Sequence, residues 1–160
     1  MVELIPMTEN EYQMYLVLSI QEYAQDNVQA GQWSEKEALQ EAEQALQKLL
    51  PQGLDSPGHY LYRIVDKQLE KHVGILWFGL HTQAHQQQVF VYDIAIFEEI
   101  RRLGYAMQAF QLLEERARKL GATSICLHVF GHNFAAREMY EKLGYVATNI
   151  QMLKKLATER

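Results

Sequence analysis

The sequence predicts an α/β fold: a mixed, mostly antiparallel central sheet with helices on both faces. Three observations predict it. Two helix-start signatures open the chain and precede apolar positions at helical spacing. Three runs rich in aromatic and β-branched residues then follow one another across short connections, as in an antiparallel meander. Finally, a strand-like run, a long amphipathic segment and another strand-like run form a unit that implies a parallel, right-handed crossover.

Leu4 and Ile5 read as a short first strand. Thr8 with Glu11 has capping-box spacing, and Tyr12, Leu16, Ile20 and Tyr23 then share one helix face. Ser34 with Glu37 repeats the signature; Leu39, Ala42, Leu46, Leu49 and Leu50 supply the second helix's stripe, which Pro51-Gln52-Gly53 ends. Asp55-Ser56-Pro57-Gly58 reads as a turn. Tyr60 to Val65 and Val73 to Leu80 read as strands, His81 to Gln88 as a polar connection, and Val89 to Phe97 as the next strand. Leu103, Ala106, Phe110, Leu113, Ala117 and Leu120 form a helical seam that Gly121 stops. Ser124 to Phe130 reads as a strand. Asn133 is placed to cap a helix carrying Met139, Tyr140 and Leu143, and Tyr145 to Leu153 reads as a last strand. No internal repeat and no long linker appears, so residues 1–160 are expected to form a single domain.

Composition bounds the function. The 160 residues are 48% hydrophobic and 11% aromatic, a globular composition. No run is apolar enough to span a membrane. The start, Met1-Val2-Glu3-Leu4-Ile5-Pro6, has neither the basic residues nor the apolar segment of a signal peptide. Cys126 is the single cysteine, so a reducing, cytoplasmic location is expected. A net charge of −5 argues against nucleic acid as a partner and mildly favours a cationic substrate.

The most telling segment is Arg101-Arg102-Leu103-Gly104-Tyr105-Ala106, between a strand and a helix. A basic turn with a glycine can aim backbone N–H groups at phosphate oxygens, and the positive end of the helix dipole adds attraction. Downstream come Leu127-His128-Val129 leading to Asn133, and Ala136-Arg137-Glu138-Met139-Tyr140-Glu141-Lys142-Leu143-Gly144-Tyr145. In this order the segments resemble the GCN5-related N-acetyltransferase (GNAT) family. Arg101, Gly104 and Ala106 match its acetyl-CoA motif, Q/R-x-x-G-x-G/A. The last helix is similar to one ending in Tyr-x-x-x-Gly-Phe/Tyr. The match spans residues from about 73 to 153.

The resemblance implies acetyl-CoA as co-substrate, with the pyrophosphate on the backbone from about Arg101 through Arg102, Leu103, Gly104 and Tyr105 to Ala106. It implies that the splayed strand end, Asp93-Ile94-Ala95-Ile96, pairs with the pantetheine arm, and that Asn133 orients that arm or a water. Tyr140 would protonate the departing thiolate. A phenol of pKa ~10 can serve a thiolate whose acid form has pKa ~8.5 only if the site lowers the barrier. The acceptor amine must be neutral. At pH 7 deprotonating an alkylamine costs roughly 4.6 kcal/mol, so a general base is expected. His128 is the first candidate, since a histidine pKa near ~6.5 suits the task. Asp93 is second and Tyr92 third. Some protein N-terminal acetyltransferases carry Glu in a similar Leu-Glu-Val segment, from which His128 departs.

Other features carry less. His81 with His85, and His128 with His132, lack a Cys or carboxylate at ligand spacing, so no metal is expected. Cys126 alternates with apolar neighbours and reads as a small hydrophobe, which disfavours an acetyl-cysteine route. Tyr23, Trp33 and the acids Glu35, Glu37, Glu41 and Glu43 are candidates for recognising a cationic amine. The expected activity is acetyl transfer to a primary amine, small or peptidic, by direct attack in a ternary complex, with backbone N–H groups steadying the oxyanion. A homodimer is admitted. The competing reading is a non-catalytic acyl-CoA-binding or regulatory protein of the same fold; a nucleic-acid module is opposed by the charge.

Overall fold

The computed structural model describes residues 1–158. Strand β1 (Val2–Pro6) is followed by helices α1 (Glu9–Gln29) and α2 (Ala38–Leu49). Strands β2 (His59–Asp66), β3 (Lys71–Gln83) and β4 (Gln86–Ile96) come next, then α3 (Tyr105–Lys119), β5 (Ala122–Leu127) and α4 (Phe134–Lys142). The five strands lie in chain order. The first four pair antiparallel, and β5 joins β4 in parallel. The expected mixed, mostly antiparallel sheet is therefore present.

Alternation along the strands divides the core. Tyr62, Ile64, Leu76, Phe78 and Val89 face α3 and meet Phe110 and Leu113. Leu61, Ile75 and Trp77 point to the opposite face and meet Tyr12, Leu46 and Leu50. Helices thus cover both faces. Each large side chain buried this way stabilises by about 1.5–3 kcal/mol. Val73 shares the α3 face with even-numbered neighbours because it is the extra residue of a bulge, between Ile64 opposite Gly74 and Val65 opposite His72.

Local chemistry explains the helix starts. The Thr8 hydroxyl accepts the Glu11 N–H at 3.3 Å, and the Glu11 carboxylate accepts the Thr8 N–H at 2.9 Å, so the expected capping box forms. The second expected box does not. Ser34 closes a turn through its carbonyl, which accepts the Glu37 N–H at 3.2 Å, and α2 begins at Ala38 without a side-chain cap.

Two further expectations are corrected. The polar connection from His81 to Gln88 is mostly strand: β3 and β4 run on as a ladder to a tight turn at Ala84 and His85, with φ of 50° and 66°. This hairpin projects past the helices with its side chains exposed, so no apolar alternation marks it. The last strand, Tyr145 to Leu153, does not form within the chain. Residues 145–158 have no helix or strand, and β5 is an edge.

Candidate functional site

The sheet parts between β4 and β5. Their pairing ends at Val91 opposite Leu127, while β4 continues through Tyr92 to Ile96 against β3 alone. No strand therefore pairs with the gap side of β4 along Ile94, Ala95 and Ile96, which leaves room there for an extended ligand arm. A cavity of about 410 Å³ fills this gap. Its walls come from α1 (Ser19, Glu22, Tyr23, Asp26), from the sheet (Trp77, Phe90, Asp93, Leu127), from the segment leading into α4 (His128, Val129, Phe130, Asn133) and from α4 itself (Tyr140).

A bulge sets the chemistry of this gap. Trp77 lies opposite Asp93 and Phe78 opposite Val91, so Tyr92 is an extra residue. Val91 thereby faces the α3 layer while Asp93 faces α1. There the Tyr15 hydroxyl donates to the Asp93 carboxylate at 2.6 Å. Burial raises the Asp93 carboxyl to about 6, and the charges of Glu22 and Asp26 push the same way, against the bonds from Tyr15 and the Ile94 N–H. Burial likewise holds the Tyr15 phenol well above its ordinary range. At the cavity mouth Glu22 is also raised, by partial burial and by Asp26, with Arg101 opposing.

Tyr140 enters the cavity from the other side. Its ring packs edge-on against Phe110 at 5.8 Å. Burial, and then the charge on Asp93, push its phenol up to about 12. It is therefore a neutral hydrogen-bond donor at any working pH. His128 lines the same cavity but is exposed, with its ring against Phe130 at 4.9 Å. Asn133 caps α4, accepting the Ala136 N–H at 3.2 Å, and its amide group also borders the cavity.

The turn before α3 has the shape of an anion cradle. Arg102 and Gly104 both have positive φ, 67° and 83°. Gly104 is the residue before the first helical turn and offers no side-chain cap, and that turn carries no acidic residue. The orphan N–H groups there, the helix dipole and the open space beside the Gly104 Cα suit a diphosphate. The side chains do other things. The Arg101 Nε donates to the Ile96 carbonyl at 2.9 Å, bracing the end of β4. The Tyr105 hydroxyl donates to buried Asp66 at 2.7 Å, anchoring α3 and holding that carboxyl below its usual value. Leu103 is exposed and Ala106 half-buried.

Asp93, His128, Asn133 and Tyr140 thus meet in one cavity, and the turn carrying Arg101 to Ala106 follows the open end of β4. Tyr23 lines the cavity, with Trp33 edge-on behind it at 5.3 Å. The acids Glu35, Glu37, Glu41 and Glu43 do not reach it; they are exposed on and before α2. Glu22 and Asp26 take the place expected of them. Sequence reasoning missed these two and Tyr15. A signal existed: Tyr15, Ser19, Glu22 and Asp26 recur at helical spacing as a polar stripe. Tyr92 stacks on Trp77 at 4.6 Å and bonds His81 at 2.8 Å. His132 lies 3.4 Å from Asp26. Cys126 is half-buried on β5 and does not line the cavity.

A model of the acetyltransferase (GNAT) family matches residues 20–145. The chain is 42% identical over 150 residues to YdgE of Bacillus subtilis (strain 168), covering 94% of this chain and 95% of that protein. It is 40% identical over 154 residues to YycN of the same organism, covering 96% and 97%. Both are described as uncharacterized N-acetyltransferases. The crystal structure of YycN from Bacillus subtilis superposes with a TM-score of 0.93 at 37% identity, over 99% of this chain and all of that one.

Proposed function

The chain belongs to the acetyltransferase (GNAT) family and is an acetyltransferase; from that premise we propose that it moves the acetyl group of acetyl-CoA to a primary amine by direct attack in a ternary complex. Acetyl-CoA would supply the activated thioester. Backbone N–H groups from Arg101 to Ala106 would hold its diphosphate. The free side of Ile94, Ala95 and Ile96 would take its arm, with Asn133 beside it.

Asp93 is the better-placed base, ahead of His128. Its carboxyl is fixed by Tyr15 and raised to about 6, close to the working pH. It would take the proton that the amine must lose. The Tyr140 hydroxyl would donate a hydrogen bond to the leaving sulfur. With the phenol near 12, full transfer to a thiolate of acid pKa ~8.5 is uphill by roughly 5 kcal/mol. Its contribution is therefore a bond that strengthens as charge develops.

The acceptor proposed is an amine that carries further positive charge. Glu22 and Asp26 stand one helical turn apart above Asp93, while Trp77, Phe90, Leu127 and Phe130 form apolar walls. The same reading takes residues 1–160 as one catalytic domain and the cytoplasm as its compartment, resting on the lone Cys126. Among the described residues no helix is long and apolar enough to cross a membrane.

One observation carries the proposal: Asp93 and Tyr140, from opposite faces of the sheet, look into the gap where β4 and β5 part. Thiol release from acetyl-CoA across a panel of mono- and polyamines tests it. Tyr140→Phe should cut turnover about 10²-fold while calorimetry shows acetyl-CoA binding nearly unchanged. Full activity of that variant removes Tyr140 from the reaction. Binding without turnover on every amine favours the non-catalytic reading.

A further inference from the structure

Two histidines stand behind the cavity wall and are joined to it by side-chain bonds. Trp77 lies opposite Asp93, is 3% exposed, and walls the cavity beside that acid. Tyr92 stacks on its indole at 4.6 Å, and Phe90 meets Tyr92 at 4.8 Å. Neither His59 nor His81 lines the cavity. His59, at the start of β2, accepts the Trp77 indole N–H on Nδ1 at 3.1 Å. His81 bonds the Tyr92 hydroxyl through Nε2 at 2.8 Å. Each of the two stacked rings is thus held from behind by one imidazole.

Strand pairing makes room for this cluster. His59 lies opposite Gly79. A Cβ at position 79 would come within 2.9 Å of the Tyr92 ring, 3.0 Å of His81 Nε2 and 3.4 Å of His59 Cε1. Because glycine brings no Cβ, the three rings can converge there. The His59 ring centre is 5.3 Å from that of Tyr92 and 6.2 Å from that of His81.

The bond to Trp77 sets a protonation requirement. An indole nitrogen only donates, so Nδ1 of His59 must be bare and its proton must sit on Nε2. An imidazolium carries hydrogen on both nitrogens, and two donors would then face each other. The indole N–H would be buried without an acceptor, an unfavourable state. Burial, and then the neighbouring His81, hold the His59 pKa below its ordinary value, which favours the neutral ring. The titratable groups packed against it are His81 from β3 and Tyr92 from β4. Among the described residues no carboxylate lies within ion-pair distance of it.

We propose that His59 is a positioning residue: its neutral imidazole holds Trp77, and through the stack on Tyr92 the aromatic wall beside Asp93, in the orientation that receives the acceptor amine, and its protonation releases that wall. In the acetyl-transfer reading, on which this rests, the fixed indole offers a flat contact for the amine's carbon chain and a cation–π face for its further charge. Release of the wall therefore weakens acceptor binding more than it slows the step that follows.

Asparagine can place its Oδ1 near the position of Nδ1 and does not titrate, whereas leucine offers no acceptor. KM for a diamine is measured on the parent and both variants from about pH 5.5 to about 8, the range of histidine titration. The amine and Asp93 titrate alike in all three, so they cancel in the ratio of KM values. Parent KM over that of His59→Asn should lie within about twofold of unity at the upper end and rise about fivefold toward acid. His59→Leu should show the raised KM throughout, with kcat changed less. A ratio flat with pH overturns the proposal, as does His59→Leu with the parent's KM. The Trp77 indole N–H resonance, assigned with Trp33→Phe, gives a readout apart from turnover. It should move with pH in the parent and stay fixed in His59→Asn; a resonance that stays fixed in the parent overturns the proposal. A moving resonance with no turnover on any amine would sustain the hold on Trp77 and fail the acetyl-transfer reading. Should His59→Leu not fold, His59→Asn and the resonance decide.

Discussion

At Asp93 a carboxyl is buried where it would sooner be neutral, and that has measurable consequences. Its pKa stands at about 6, against ~3.9 in an unfolded chain. Between those values the folded state keeps a proton that the unfolded chain releases. The associated stability is fully present below pH ~4 and is lost as pH rises through about 6, a swing on the order of 3 kcal/mol. Asp93→Asn should therefore be more stable than the parent above pH 6 and no more stable near pH 4. Urea melts at the two pH values check this. The same variant should lose the limb of kcat/KM that rises near pH 6, with a fall of about 10²–10⁴. Equal melts at both pH values would show that the carboxyl is solvated. Asp93 and Tyr140 were legible in the sequence because they sit in ordered motifs. Tyr15 was not, because a tyrosine on a helix bonds to something only once the fold brings it there.

Among the elements, α1 carries two stripes displaced by a residue or so. Tyr12, Leu16 and Ile20 pack against α2 and the sheet. Ser19, Glu22 and Asp26 line the cavity, and Tyr15 on the same stripe bonds Asp93. Reading apolar periodicity finds the first stripe and passes over the second. The second stripe is expected to set acceptor preference. Glu22→Gln with Asp26→Asn should raise KM for di- and polyamines about tenfold, and leave KM for a monoamine within about twofold, by loss of long-range attraction in a low-dielectric cleft. Initial rates on matched amines of one and two charges check it; equal changes for both would assign the acids to packing or solubility. The long β3–β4 hairpin teaches the complementary lesson. Its outer half is held by backbone bonds with both faces wet, and such a ladder leaves no trace in hydrophobic pattern.

In the whole molecule, strand order and the two covered faces were legible because alternation and helical seams are written by one large core. Leu113 sits in that core, fully buried between α3 and the sheet. Leu113→Ala should cost about 2–5 kcal/mol, read as a lower denaturation midpoint, with turnover kept at temperatures where the variant stays folded. A loss of turnover without a loss of stability would mean that α3 serves the site more directly than its packing indicates. The tail escaped this logic: its alternation is plain in the sequence, yet residues 145–158 form no strand.

The extra residue at Tyr92 makes the length of β4 more consequential than many of its side chains. Iron that buckle flat with every residue kept, and each later position on the strand turns over: the acid swings into the oily layer beneath α3, and the isoleucines emerge under α1. A descendant can trade letters along this strand and survive. It cannot flatten that buckle at full length and keep either its acid in the cleft or its packing.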